Sequence, residues 1–121
     1  MKKILIVDDQ DVIRKMMRLS LAGKYELYEA ADSAAAWDAL QRVRPDAVIL
    51  DIMMPGDLDG YQLCEKMRSD SNLQKTYVVM VTARGQQADR GRGLAAGANA
   101  YFVKPFSPLA LASHLDEALS D

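Results

Sequence analysis

Three aspartates, a threonine and a lysine stand where short apolar runs end, and together they could hold a divalent cation and a phosphoryl group. Asp8 and Asp9 follow Ile4-Leu5-Ile6-Val7, Asp51 follows Ala47-Val48-Ile49-Leu50, Thr82 follows Val81, and Lys104 follows Val103. Two unit charges about 4 Å apart repel by roughly 4 kcal/mol at an effective dielectric of 20, so three converging carboxylates call for a cation. Hard oxygen donors suit magnesium, or manganese as the alternative, whereas zinc would favour histidine or cysteine. The Thr82 hydroxyl can donate, and the Lys104 ammonium can offer a point charge, to phosphoryl oxygens. A carboxylate such as Asp51 can itself form an aspartyl phosphate. Each residue alone has a plainer explanation as a helix cap, a strand-end residue or a solvated charge. Those explanations fit the combination poorly.

What must position these residues is an alternation of strands and helices. Apolar runs at 3–7, 25–30, 46–50, 77–81 and 100–103 are separated by segments whose apolar residues recur at helical spacing. The first helix is predicted over 11–22, with Val12, Met16, Leu19 and Ser20 inward, Arg14, Lys15 and Arg18 outward, and a stop at Gly23. The second spans 33–43 and ends before Pro45, and the third starts near Asp59 with Tyr61, Leu63, Cys64 and Met67 inward. The fourth, over 86–96, is the weakest, because Gly91 and Gly93 each cost about 1 kcal/mol relative to alanine. The fifth follows Phe106-Ser107-Pro108, a cap-then-proline start, with Leu109, Ala112, Leu115 and Leu119 as its apolar stripe. Continuously apolar central strands point to a parallel sheet covered on both faces. Right-handed crossovers then give a doubly wound, three-layer α/β/α domain whose functional edge lies at the carboxyl ends of the strands.

Bulk properties agree with a small globular protein. A chain of 121 residues is the size of one domain, expected to occupy residues 1–121 with no effector module beside it. Half the residues are apolar and the formal net charge is -2, which excludes a disordered tail and gives no reason to expect a nucleic acid partner. The opening apolar run ends at Asp8, too short for an export signal, and no stretch is long enough for a membrane span. The single cysteine, Cys64, permits no internal disulfide and fits a reducing, cytoplasmic setting, where it is expected to be a core residue. Trp37 is expected to pack, His114 to be exposed, and Arg84, Arg90 and Arg92 to form a solvated basic face.

Asp8-Asp9, Asp51 with Met54-Pro55, Asp59-Gly60, Thr82-Ala83 and Lys104-Pro105-Phe106 resemble, in order and spacing along the whole chain, the signature of response-regulator receiver domains. The resemblance implies a flavodoxin-like five-stranded parallel sheet of order 2-1-3-4-5 with five helices. It implies a phosphorylation switch, not an enzyme in the ordinary sense: Asp51 accepts a phosphoryl group from a sensor histidine kinase or a histidine phosphotransfer protein. Asp8, Asp9, Asp51 and the backbone carbonyl of Met53 would bind magnesium, and Lys104 would pair with Asp51 or its phosphate. Thr82 and Tyr101 would form the moving switch, and Met53 and Arg84 would tune phosphate loss. The downstream protein target stays unnamed, and the state is a monomer or a phosphorylation-dependent dimer.

One departure stands out. The loop Pro55-Gly56-Asp57-Leu58-Asp59-Gly60 is one residue longer than the usual connection, with Asp57 expected as a solvated turn residue. Three rival functions remain in view. An aspartyl-phosphate phosphohydrolase of the haloacid-dehalogenase kind needs an acid two residues after its nucleophile, where this chain has Met53. A flavin-binding protein needs a donor-rich loop after the first strand, where Asp8 and Asp9 would repel a phosphate. A degenerate receiver serving only as an interaction module would have lost one of Asp51, Lys104 or the acidic pair.

Overall fold

Central strands that are apolar along nearly their whole length can be buried only between two layers of helices, and the chain folds accordingly. The computed structural model describes residues 1–82 and 89–120, with the side chains of residues 89 and 90 excepted. The elements are β1 (Lys3–Val7), α1 (Asp11–Leu21), β2 (Glu26–Ala30), α2 (Ser33–Val43), β3 (Ala47–Asp51), α3 (Gly60–Arg68), β4 (Tyr77–Thr82), α4 (Asp89–Ala95), β5 (Ala100–Val103) and α5 (Pro108–Ala118). All strand pairs are parallel and the sheet order is β2-β1-β3-β4-β5, the expected flavodoxin-like arrangement.

Alternate residues of each strand feed two separate cores, as a side-chain period of two requires. Ile4, Ile6, Ala47, Ile49, Val79 and Val81 meet Met17, Leu21, Leu111, Ala112 and Leu115 from α1 and α5. Leu5, Val7, Val48, Leu50, Val78 and Met80 meet the helices of the other face, including Ala36 and Leu40 of α2 and Leu63, Cys64 and Met67 of α3. Cys64 is buried as expected, and burial pushes its thiol pKa up.

Caps start two helices where the sequence suggests. Asp59 forms a capping box with Gln62 at the start of α3, and the Ser107 hydroxyl accepts from the Ala110 amide ahead of Pro108. The inward faces of two helices differ from expectation. In α1, Met17 and Leu21 are buried with Ile13 against them, while Val12 and Leu19 are 77% and 69% exposed. Arg14 and Arg18, expected outward, both ion-pair with Glu29 of β2, and this attraction favours the rotation that puts the 13-17-21 row on the sheet. In α5, Leu111 joins Ala112 and Leu115 in the core while Leu109 is 78% exposed, because 111, 115 and 119 form one row four residues apart.

The described part of α4 starts at Asp89; the expected start at residue 86 falls outside the described residues, as does Arg84. Gly93 lets α4 close on the sheet, since a Cβ there would lie 3.1 Å from Met80 Sδ and 3.4 Å from the Tyr101 ring. His114 is not exposed: it is half-buried, its Nε2 lies 2.7 Å from the Tyr77 hydroxyl, and its ring stands edge-on to Phe102. Trp37 packs against the core beneath the Lys66 ammonium, 4.1 Å from the ring centroid. Arg92 is exposed, yet it reaches Asp59 at 3.8 Å and stacks over Tyr61.

Candidate functional site

Register alone brings the strand-end residues together. Val7 pairs with Leu50, so Asp8 emerges beside Asp51; Asp51 pairs with Val81, so Thr82 is one residue beyond; Thr82 pairs with Val103, so Lys104 is next. One carboxylate oxygen each from Asp8, Asp9 and Asp51 lies within 4.8 Å of the others. Asp8 is fully buried, Asp51 is 5% exposed, Thr82 is 1% exposed, and Asp9 is open to solvent. A cleft of about 370 Å³ lined by Asp9, Gln10, Asp51, Met53 and Lys104 leads to the cluster.

The Lys104 ammonium lies 2.8 Å from Asp8 Oδ2 and 3.7 Å from Asp51 Oδ2, so its tighter partner is Asp8. Asp8 is also held by the amide of Gln10, which donates to Oδ1 at 2.9 Å, and through its own amide, which donates to the Ala30 carbonyl at 3.1 Å. Burial, and after it the Asp8 carboxylate, push the Asp51 carboxyl up from 3.8 to about 6; Lys104 and the Met53 amide pull against that rise, and Asp9 adds to it. Three carboxylates with one ammonium in contact leave two negative charges unbalanced, and an all-oxygen donor set of that charge fits a hard divalent cation. Such an ion would supply charge neutralisation and a fixed point for phosphoryl oxygens. Asp8, Asp9, Asp51 and Lys104 thus converge, with Thr82 beside them by register and Met53 on the cleft wall, while Tyr101 is half-buried in β5, pairs in register with Met80 and lies near Gly93 of α4.

The loop over 55–60 is anchored, not loose. The Ser33 amide donates to the Pro55 carbonyl at 3.2 Å, and the Leu58 amide donates to the Ser33 hydroxyl at 3.4 Å. Gly56 has φ +118° and passes directly over that hydroxyl, a conformation and a proximity that favour glycine. Gly60 touches the site from beneath: a Cβ there would lie 2.7 Å from the Asp51 carbonyl oxygen and 2.7 Å from Ile52 Cα. Asp57 is exposed, as a turn residue.

Two neighbours of the cluster escaped the sequence reading. Gln10 lines the cleft, and the Arg14 guanidinium donates to the Asp8 carbonyl oxygen at 2.6 Å. Nothing in residue type or spacing singles out Arg14, which sits in a helix among other basic residues.

A doubly wound parallel sheet with an acidic cluster, a hydroxyl and a lysine at its carboxyl edge defines a class of phosphoacceptor modules. Residues 4–116 match the model of the response regulator receiver domain, and the chain belongs to that family. It is 45% identical over 120 residues to "probable transcriptional regulator ycf27" of Cyanophora paradoxa, which covers 98% of this chain and 48% of that protein. It is 42% identical over 107 residues to response regulator Rre1 of Synechocystis sp., covering 87% of this chain and 46% of that one. The chain therefore spans just under half the length of these curated relatives. Among solved structures, chemotaxis response regulator CheY4 of Vibrio cholerae superposes with a TM-score of 0.90 at 34% identity, covering 98% of this chain and 99% of that chain. Receiver domains are phosphoacceptors and not classical enzymes, they work with histidine kinases or phosphotransfer partners, and they typically bind magnesium at an acidic pocket. Among the described residues, no helix is long and apolar enough to cross a membrane.

Proposed function

We propose that this chain is a phosphorylation-dependent switch in which Asp51 accepts a phosphoryl group from a sensor histidine kinase or a histidine phosphotransfer protein. The observation that carries the reading is the convergence of Asp8, Asp9, Asp51 and Lys104 on one open cleft. Asp51 attacks phosphorus through a carboxylate oxygen, an O–P bond forms, the N–P bond of the phosphohistidine breaks, and the leaving ring nitrogen keeps the electron pair and takes a proton from solvent. With its pKa at about 6, Asp51 is mostly ionised at neutral pH, as a nucleophile must be. Asp8, Asp9, Asp51 and the Met53 backbone carbonyl would hold magnesium, which would supply charge neutralisation for the phosphoryl oxygens. Lys104 exchanges part of its contact with Asp8 for the new phosphoryl oxygens, and the Thr82 hydroxyl donates to them.

The output is a change in partner binding: Thr82 draws toward the phosphoryl group and Tyr101 turns in behind it, which alters the surface around α4 and β5. The protein works in the cytoplasm on a downstream protein target, as a monomer or a phosphorylation-dependent dimer. Incubation with acetyl phosphate, with and without magnesium, followed by intact mass of the native chain and Asp51→Asn tests the central step. An adduct that requires magnesium and is absent from the variant is expected. No adduct on the native chain, or an adduct retained by the variant, overturns the assignment.

A further inference from the structure

We infer that Arg14 is a positioning residue that sets the magnesium affinity of the acidic pair by gripping the peptide between Asp8 and Asp9. The inference rests on the proposed magnesium site and concerns a residue outside the ligand set. Arg14 Nη1 donates to the Asp8 carbonyl oxygen at 2.6 Å. That carbonyl belongs to the peptide group joining the two aspartates, and a planar peptide fixes the Asp9 amide and Cα once its oxygen is held. Asp8 needs no such help, because it is fully buried and its carboxylate is held by Lys104 and the Gln10 amide. Asp9 is exposed, so the direction its side chain takes depends on the backbone beneath it.

The guanidinium is itself fixed from two sides. Its Nε donates to Glu29 Oε1 of β2 at 3.1 Å, and its Nη2 bonds Asp11 in the first turn of α1. Its side chain is only 15% exposed, unusually low for an arginine on a short surface helix. The Gln10 cap of α1 makes no side-chain capping bond, so Arg14 ties the loop over 8–10 to both β2 and α1. Lysine could reach one of these partners and not all three, since only the forked guanidinium presents donors in several directions. Outer-shell partners of metal ligands commonly set affinity by about 10–100-fold.

The test is calorimetric titration of magnesium into the intact chain and into Arg14→Met, Arg14→Lys and Arg18→Met. Arg18 shares Glu29 as an ion-pair partner but makes no bond to the Asp8 carbonyl, so Arg18→Met controls for loss of the surface pair. The expected result is magnesium affinity weaker by about 10-fold in Arg14→Met, a smaller loss in Arg14→Lys, and native affinity in Arg18→Met. Acetyl phosphate labelling of Arg14→Met should recover the native rate at saturating magnesium, a pattern that general destabilisation does not produce. Equal affinity in Arg14→Met and the native chain, or an equal loss in Arg18→Met, overturns the inference while leaving the magnesium site standing. Should Arg14→Met not fold, Arg14→Lys against Arg18→Met carries the same comparison. A native chain that binds no magnesium overturns the proposed site and this inference together.

Discussion

Replacing Asp51 with asparagine should stabilise the metal-free protein at neutral pH while removing the proposed phosphoacceptor. Burial and the Asp8 carboxylate raise the Asp51 carboxyl from 3.8 to about 6, so between those values the folded chain holds a proton that the unfolded chain has released. Where the folded state binds more protons, stability falls as pH rises. The penalty is absent below 3.8, where both states are protonated, and complete above about 6. A rise of about two units at about 1.4 kcal/mol each amounts to about 3 kcal/mol. Asparagine cannot ionise and escapes that penalty, a net figure that already includes the opposing pull of Lys104 and the Met53 amide on the charge. The gain is about 3 kcal/mol, or roughly 12 °C in Tm for a domain of this size. Thermal unfolding of both proteins in chelator at pH 7.5 and pH 4.5 measures it. The variant should lead at pH 7.5 and lose most of its lead at pH 4.5, and magnesium should narrow the gap at pH 7.5 by stabilising the native chain. An equal Tm at pH 7.5, or an undiminished lead at pH 4.5, would refute the claim that the buried Asp51 charge is the source of strain.

Two further substitutions probe the scaffold and the charge balance. Gly60→Ala sets a methyl 2.7 Å from backbone atoms of Asp51 and Ile52, which cannot rotate away, so a loss of about 1–3 kcal/mol is expected in urea unfolding; an unchanged midpoint would mean that α3 shifts freely. Lys104→Met removes the ammonium 2.8 Å from Asp8, and labelling by acetyl phosphate at saturating magnesium should slow by on the order of 100-fold, as for loss of a charge-stabilising donor. An unchanged labelling rate in a time course followed by mass would remove Lys104 from the proposed transfer step.

The strand order 2-1-3-4-5 came from the family resemblance, whereas the cluster at the sheet edge was legible in the sequence for one reason. Asp8, Asp51, Thr82 and Lys104 each close or directly follow an apolar run, and parallel strands deliver such residues to a common edge. The caps Asp59 and Ser107 were legible too, because a cap acts within three residues of itself. The inward faces of α1 and α5 were not, since Val12, Ile13, Met16, Met17, Leu19 and Leu21 are all apolar and offer more than one stripe. The place where the sheet runs selects one, burying Met17 and Leu21, and Arg14 and Arg18 then meet Glu29. His114 meets Tyr77 across 37 positions, and Arg14 meets the Asp8 carbonyl beside two other partners, so neither contact leaves a mark in local spacing. Residue type and position along the chain determined which groups reach the site. Their distances, the 2.8 Å bond of Lys104 to Asp8 and the raised pKa of Asp51 were decided by register and burial, because Coulomb and desolvation energies depend on separations that only packing sets.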